Sequence, residues 1–137
     1  MKTLGMRHVA LNVKNAQAAK EFYCKVMNME VEWEPDLKSV YLATFVQDPI
    51  SGEKKAIDNV ALHQADAPLL KPGALNHIGF FVSTHQEVDQ WHDHVKACGA
   101  KIVKETKTHR DGVRSFYFED IDGNVIQLLS STLPLRT

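Results

Sequence analysis

Leu75-Asn76-His77-Ile78-Gly79-Phe80-Phe81-Val82 repeats, late in the chain, the pattern of Met6-Arg7-His8-Val9-Ala10-Leu11-Asn12-Val13. Each stretch alternates with the period of a half-buried β-strand and carries a histidine at its third position. Each ends at a polar pair, Lys14-Asn15 in the first and Ser83-Thr84 in the second, where a helix can open. A strand that recurs with the same histidine and the same exit is the mark of a duplicated module.

Working outward, the residues after both strands read the same way. Ala19, Phe22, Tyr23, Val26 and Met27 recur at helical spacing, so a helix is expected over Ala16 to Met27 with Asn15 as its N-cap. The second helix follows Thr84, with Glu87 placed for a capping box. Its stripe is Val88, Trp91, Val95 and Cys98, and Gly99 lies just past its end. Three strand-like runs follow each helix, about Glu30–Trp33, Ser39–Val46 and Ala56–Gln64 in the first half. In the second half they are about Lys101–Glu105, Val113–Glu119 and Asn124–Ser130, the last two joined by the hairpin signal Asp122-Gly123. Asp48-Pro49-Ile50-Ser51-Gly52-Glu53 reads as a longer loop. The expected fold is α+β: βαβββ modules over residues 1–66 and 74–137, a linker over 67–73 containing Pro68, Pro72 and Gly73, and one structural domain in all.

Alternation also assigns faces. Val9, Leu11 and Val13 pack under the first helix, which leaves His8 on the opposite face with Met6, Ala10 and Asn12. Ile78, Phe80 and Val82 take the helix side of the second module, leaving His77 with Leu75, Gly79 and Phe81. If the sheets curve, both histidines point into the concavity. Gln127 interrupts an apolar strand and needs a hydrogen-bond partner, because burying an unpaired amide costs roughly 1–3 kcal/mol. Tyr117 and Ser115 share one face of the preceding run. His63 shares the face of Ala61 and reads as a strand-end residue that could reach a ligand. His85, His92 and His94 read as solvated, and Trp33 and Trp91 as packing residues.

The bulk numbers bound the function classes. With 137 residues, 44% hydrophobic, 24% charged and a formal net charge of −1, the chain gives no global reason to expect nucleic acid or a membrane surface as partner. The first eight residues lack a signal-peptide apolar stretch, and no apolar run reaches the roughly 20 residues of a membrane span. Cys24 and Cys98 form no CxxC pair and read as reduced thiols, so a cytoplasmic location is expected.

Three stretches in this order resemble the glyoxalase/bleomycin-resistance/extradiol-dioxygenase superfamily, the vicinal oxygen chelate proteins. They are Arg7-His8-Val9-Ala10-Leu11, Leu75-Asn76-His77-Ile78-Gly79-Phe80, and the run from Ser115 to Leu128 through Asp122-Gly123-Asn124-Val125-Ile126-Gln127. The resemblance implies two modules whose curved sheets form a barrel-like cavity, and a homodimer. It also implies a divalent metal ion (Fe, Ni, Co, Zn or Mn) held by His8, His77 and Gln127. Ala61 falls where some members carry a fourth ligand, so this chain resembles the three-ligand members, which leave metal positions open to a bidentate substrate. Gln127 stands where the family has a carboxylate, and its neutral oxygen leaves the ion more positive. The run from His109 to Tyr117 resembles the extradiol dioxygenase signature with one residue fewer. That implies catalytic roles for His109 and Tyr117, while the facing of their strands makes His63 and Ser115 candidate substrate contacts. The further histidine of that subfamily falls at Asp58 or Asn59 and is absent.

Two functions follow from the resemblance. One is a metal-dependent lyase, isomerase or dioxygenase acting on a small substrate with vicinal oxygens. The other is a non-catalytic protein that binds or sequesters a small molecule in the same cavity.

Overall fold

The computed structural model describes residues 1–69 and 73–130. The chain divides into two compact units, Met1–Leu69 and Leu70–Thr137. Residues 70–72 of the expected linker, and those beyond 130, lie outside the described residues.

The first unit runs β1 (His8–Val13), α1 (Ala16–Met27), β2 (Glu30–Asp36), β3 (Ser39–Ala43), β4 (Phe45–Gln47), β5 (Lys54–Ala56) and β6 (Asn59–Gln64). Its main sheet has the order β1-β6-β3-β2, with β1 and β6 parallel. Asn15 caps α1 by accepting a hydrogen bond from the Ala18 amide at 2.8 Å, and Asn28 closes it in the left-handed region. Asparagine tolerates that conformation better than most side chains. The helix covers rows of apolar residues set by strand register. Leu11, Leu62 and Val40 form one row, and Val9, Val60 and Leu42 the next. Val40, Leu42, Leu62, Val60 and Leu11 are all buried, with Tyr23 of α1 packed fully inside.

The second unit runs β7 (Ile78–Phe81), α2 (His85–Ala97), β8 (Ile102–Thr108), β9 (Arg114–Glu119) and β10 (Val125–Ser130). Its sheet order, β7-β10-β9-β8, repeats that of the first unit, again with the first and last strands parallel. Thr84 and Glu87 form the full capping box on α2. The apolar rows recur as Ile78–Ile126–Phe118 and Phe80–Leu128–Phe116. Phe116, Phe118 and Ile126 are completely buried, together with Val88 and Val95 of the helix.

Both sheets are open and four-stranded rather than closed barrels. Bulges in β2 against β3, and in β8 against β9, bend each sheet at the same place in the repeat. The expected strand Ser39–Val46 breaks at Thr44. Asp58 accepts the Thr44 amide at 2.6 Å and redirects the chain into a separate ribbon, β4-β5. Asp48-Pro49-Ile50-Ser51-Gly52-Glu53 is the loop closing that ribbon, with the Asp48 carboxylate capping the Ile50 and Ser51 amides. Among the described residues no helix is long and apolar enough to cross a membrane.

Sequence-based expectations for four residues need correction. Trp33 is not a packing residue but 59% exposed, lying against Tyr41 on the face away from α1. His92 is not solvated: its side chain is 13% exposed, edge-on to Phe116 and bonded to Glu105 at 2.7 Å. His85 bonds the Gly112 carbonyl oxygen at 3.0 Å, and His94 packs against Trp91. His85 and His92 meet the β8-β9 hairpin, which periodicity within α2 does not reveal.

Candidate functional site

The face of each sheet away from its helix carries the polar and aromatic side chains. In the first unit strand register lines up Ala10, Ala61, Tyr41 and Trp33. The next positions pair His8 with Asn59 on one side, and Asn12 with His63 and Ser39 on the other. His8 opens β1. Its Nδ1 lies 2.6 Å from the Asn59 side-chain oxygen, and its ring is nearly parallel to that of Tyr41 at 6.4 Å. His63 stands edge-on to Tyr41 at 5.6 Å. The Asn59 amide nitrogen donates to Glu32 at 2.5 Å, and Arg7 donates to the same carboxylate at 2.8 Å. These contacts hold the Glu32 carboxyl below the usual glutamate range, the Asn59 bond first and Arg7 after it, against the opposing effect of burial.

The equivalent row in the second unit is Gly79, Gln127, Tyr117 and Lys104. The Gln127 amide nitrogen donates to the Tyr117 hydroxyl at 2.8 Å. Its partner is thus its cross-strand neighbour, not a histidine, and its Oε1 is left to accept elsewhere. A methyl at Gly79 would press on Leu129 Cδ2 at 3.2 Å and make ordinary contact with Gln127 Oε1 at 3.6 Å. Lys104 Nζ lies 4.9 Å from the centre of the Tyr117 ring, and His77 stands edge-on to the same ring at 5.5 Å. His77 comes just before β7, with Nδ1 2.6 Å from the Asn76 side-chain oxygen. His77, Tyr117 and Gln127 therefore come together. Ser115 is buried and bonds His109 at 3.1 Å, so those two residues satisfy each other at the far end of β9.

Of the residues singled out from sequence, the first unit holds His8 and His63, and the second holds His77, His109, Ser115, Tyr117 and Gln127. Sequence reasoning did not assign Arg7, Glu32, Asn59, Tyr41, Asn76 or Lys104 to the site. Asn59 carried a signal, a polar residue opening an apolar strand, as Gln127 interrupts one. Glu32 carried none, because it alternates with Glu30 and Glu34 along an exposed edge strand.

Comparison with known proteins decides the family. The model of the Glyoxalase/Bleomycin resistance protein/Dioxygenase superfamily matches residues 5–128. The chain belongs to this superfamily. It is 26% identical over 133 residues to the fosfomycin resistance protein FosX of Listeria monocytogenes, covering 96% of this chain and 93% of FosX. A crystal structure of a FosX point mutant with Mn(II) and 1S,2S-dihydroxypropylphosphonic acid superposes with a TM-score of 0.71 at 26% identity, covering 96% and 94% of the two chains. Lactoylglutathione lyase from Agrobacterium tumefaciens has the same fold, with a TM-score of 0.73 at 18% identity and coverage of 95% and 96%.

The donors in each unit suit the divalent ion that superfamily members such as that FosX mutant hold. A side-chain carbonyl oxygen only accepts, so Nδ1 is the protonated nitrogen of a neutral His8 or His77 ring, and Nε2 keeps its lone pair. Ligating histidines are commonly held this way, with the second ring nitrogen donating to an oxygen. Gln127 adds a neutral oxygen fixed through its own nitrogen. Imidazole nitrogen and amide oxygen together suit Ni, Co, Zn, Mn or Fe. Among the described residues no three His, Cys, Asp or Glu side chains form a metal-holding group.

Proposed function

We propose that this chain is a metal-dependent enzyme of the superfamily, acting on a small substrate that chelates through two vicinal oxygens. His8, His77 and Gln127 would hold the ion, which supplies Lewis-acid stabilisation of charge on the chelated oxygens. The observation carrying this reading is the shared state of the two histidines. In each, Nδ1 lies 2.6 Å from a side-chain amide oxygen, which would leave Nε2 as the nitrogen offered to an ion. The ligand named with the FosX mutant, a phosphonate with hydroxyls on adjacent carbons, has the vicinal oxygens this chemistry requires.

Tyr117 accepts from Gln127, so its own O–H is directed elsewhere and can donate to a substrate oxygen. His109 Nε2 is paired with buried Ser115, so a catalytic part for His109 would fall to its other ring nitrogen. His63 and Tyr41 offer ring faces and edges for substrate contact in the first unit. We also expect a homodimer of twice 15.4 kDa, which light scattering on a sizing column checks.

A second reading, a small-molecule binding protein, is favoured by Gln127 itself, since three neutral donors hold a dication less firmly than a set with a carboxylate. Metal analysis by mass spectrometry on untagged protein separates the two. The expected result is one ion per chain, lost in His8→Ala and in His77→Ala, and held roughly tenfold tighter (about 1.4 kcal/mol) in Gln127→Glu. Protein that stays metal-free after incubation with Ni, Co, Zn, Mn and ferrous ions overturns the enzyme reading. Ligand-induced stabilisation without turnover then supports the binding protein.

A further inference from the structure

We infer that Glu32, acting through Asn59, is a positioning residue that selects which ring nitrogen of His8 carries the proton. The inference deepens the metal-site reading above and rests on it for its functional meaning. A side-chain amide fits its surroundings almost equally well in two orientations that exchange its oxygen for its nitrogen. With its oxygen toward His8, Asn59 accepts from Nδ1–H and Nε2 is free. Turned over, it would donate to Nδ1, the ring proton would move to Nε2, and the nitrogen offered to a metal would be blocked.

Glu32 removes that ambiguity. A carboxylate only accepts, so at 2.5 Å it can face the Asn59 NH2 group but not its oxygen. Arg7, which only donates, holds the carboxylate from its other side. The chain Arg7 to Glu32 to Asn59 to His8 therefore has one self-consistent direction of donation, and it ends with the proton on His8 Nδ1.

Backbone geometry puts Glu32 within reach. Val31 opposes Leu42 and Trp33 opposes Tyr41, so Glu32 is the extra residue of the β2 bulge, with no opposing residue on β3. Glu30 opposes Ala43 on the face that carries Tyr41, so Glu32, two residues on, lies on that same face with Asn59, and Trp33 joins it after the bulge. The second unit has the same bulge but not the device. Val103 is its extra residue, and Val125 stands one position before Ile126, as Asn59 stands before Val60. His77 instead takes its oxygen from its chain neighbour Asn76.

The test is the 15N shifts of the His8 ring nitrogens in metal-free protein, by long-range proton–nitrogen correlation at a pH where the ring is neutral, assigned with His8→Ala. The expected pattern is protonation at Nδ1 in the parent. In Glu32→Gln, whose amide can pair with either orientation of Asn59, the proton should shift toward Nε2. Affinity for Co(II) should fall roughly ten- to hundredfold with it. Asn59→Ala should move the tautomer in the same direction, while the His63 ring signals, in the same unit, stay in place and report an intact fold. A parent ring protonated at Nε2, or an unchanged tautomer in Glu32→Gln, overturns the inference. Expected tautomers in a parent that binds no metal overturn the metal reading alone.

Discussion

At the scale of the residue, Gln127 was legible because a polar side chain in an apolar strand must find a partner, and strand pairing supplied Tyr117. The bond is local enough to test in isolation. Tyr117→Phe removes the acceptor and keeps the ring against His77 and Lys104. It should cost about 1 kcal/mol, read as a lower urea midpoint with an unchanged slope. Divalent affinity should fall with it, because nothing then aims the Gln127 oxygen. An unchanged midpoint would show that water replaces the hydroxyl without loss. The Asn59 partnership was not legible in the same way. Its second partner, Glu32, lies on β2, at the opposite edge of the sheet from β1. Alternation puts Glu30 and Glu32 on the same face, and only strand order and register bring one of them to Asn59.

At the scale of the element, the helices were the most legible parts because caps and stripes are local. α1 runs Ala16–Met27 as its spacing predicts, and α2 starts behind the capping box that Thr84 and Glu87 announce. Thr84→Ala should cost about 1 kcal/mol, by leaving the Glu87 amide without its side-chain acceptor. Amide exchange in the first turn of α2 should quicken, with α1 unaffected, and equal protection in both proteins would count against the box. Strand ends were less legible. Thr44 and Asp58 divert the chain by a side-chain bond, not by any break in hydropathy, so one expected strand became two. The parallel pairing of first and last strands was beyond the sequence, yet it decides the site. It puts Asn59 beside His8 in one unit and Gln127 beside Gly79 in the other. The repeat thus conserves geometry while dividing the polar work. Where the first unit has Asn59 and Ala61, the second has Val125 and Gln127.

At the scale of the whole molecule, duplication makes two units alike in topology and unlike in electrostatics. Glu32, Glu34 and Asp48, three carboxylates held below their ordinary ranges, all lie in Met1–Leu69. Glu34 is lowered first by its bond from Gln17 and then by Lys20, which together tie α1 to β2. Asp48 is lowered by the Ser51 and Ile50 amides it caps. For a group whose folded value is depressed, the unfolded state binds more protons over the interval between the two values. Its stabilisation is therefore complete above the ordinary carboxylate range, about pH 4, and drains away as pH falls through the depressed values. These groups are exposed enough for salt to screen them, so the effect should be small at each site and larger at low ionic strength. The chain carries two tryptophans, Trp33 in the first unit and Trp91 in the second, and the variants Trp91→Phe and Trp33→Phe isolate them as separate reporters. On acid titration, emission from Trp33 should change before that from Trp91, and Glu34→Gln should narrow the gap by removing one of the three contributions. Coincident transitions in both single-tryptophan proteins would mean that the units unfold as one cooperative body, and the acid limb would then belong to the whole chain.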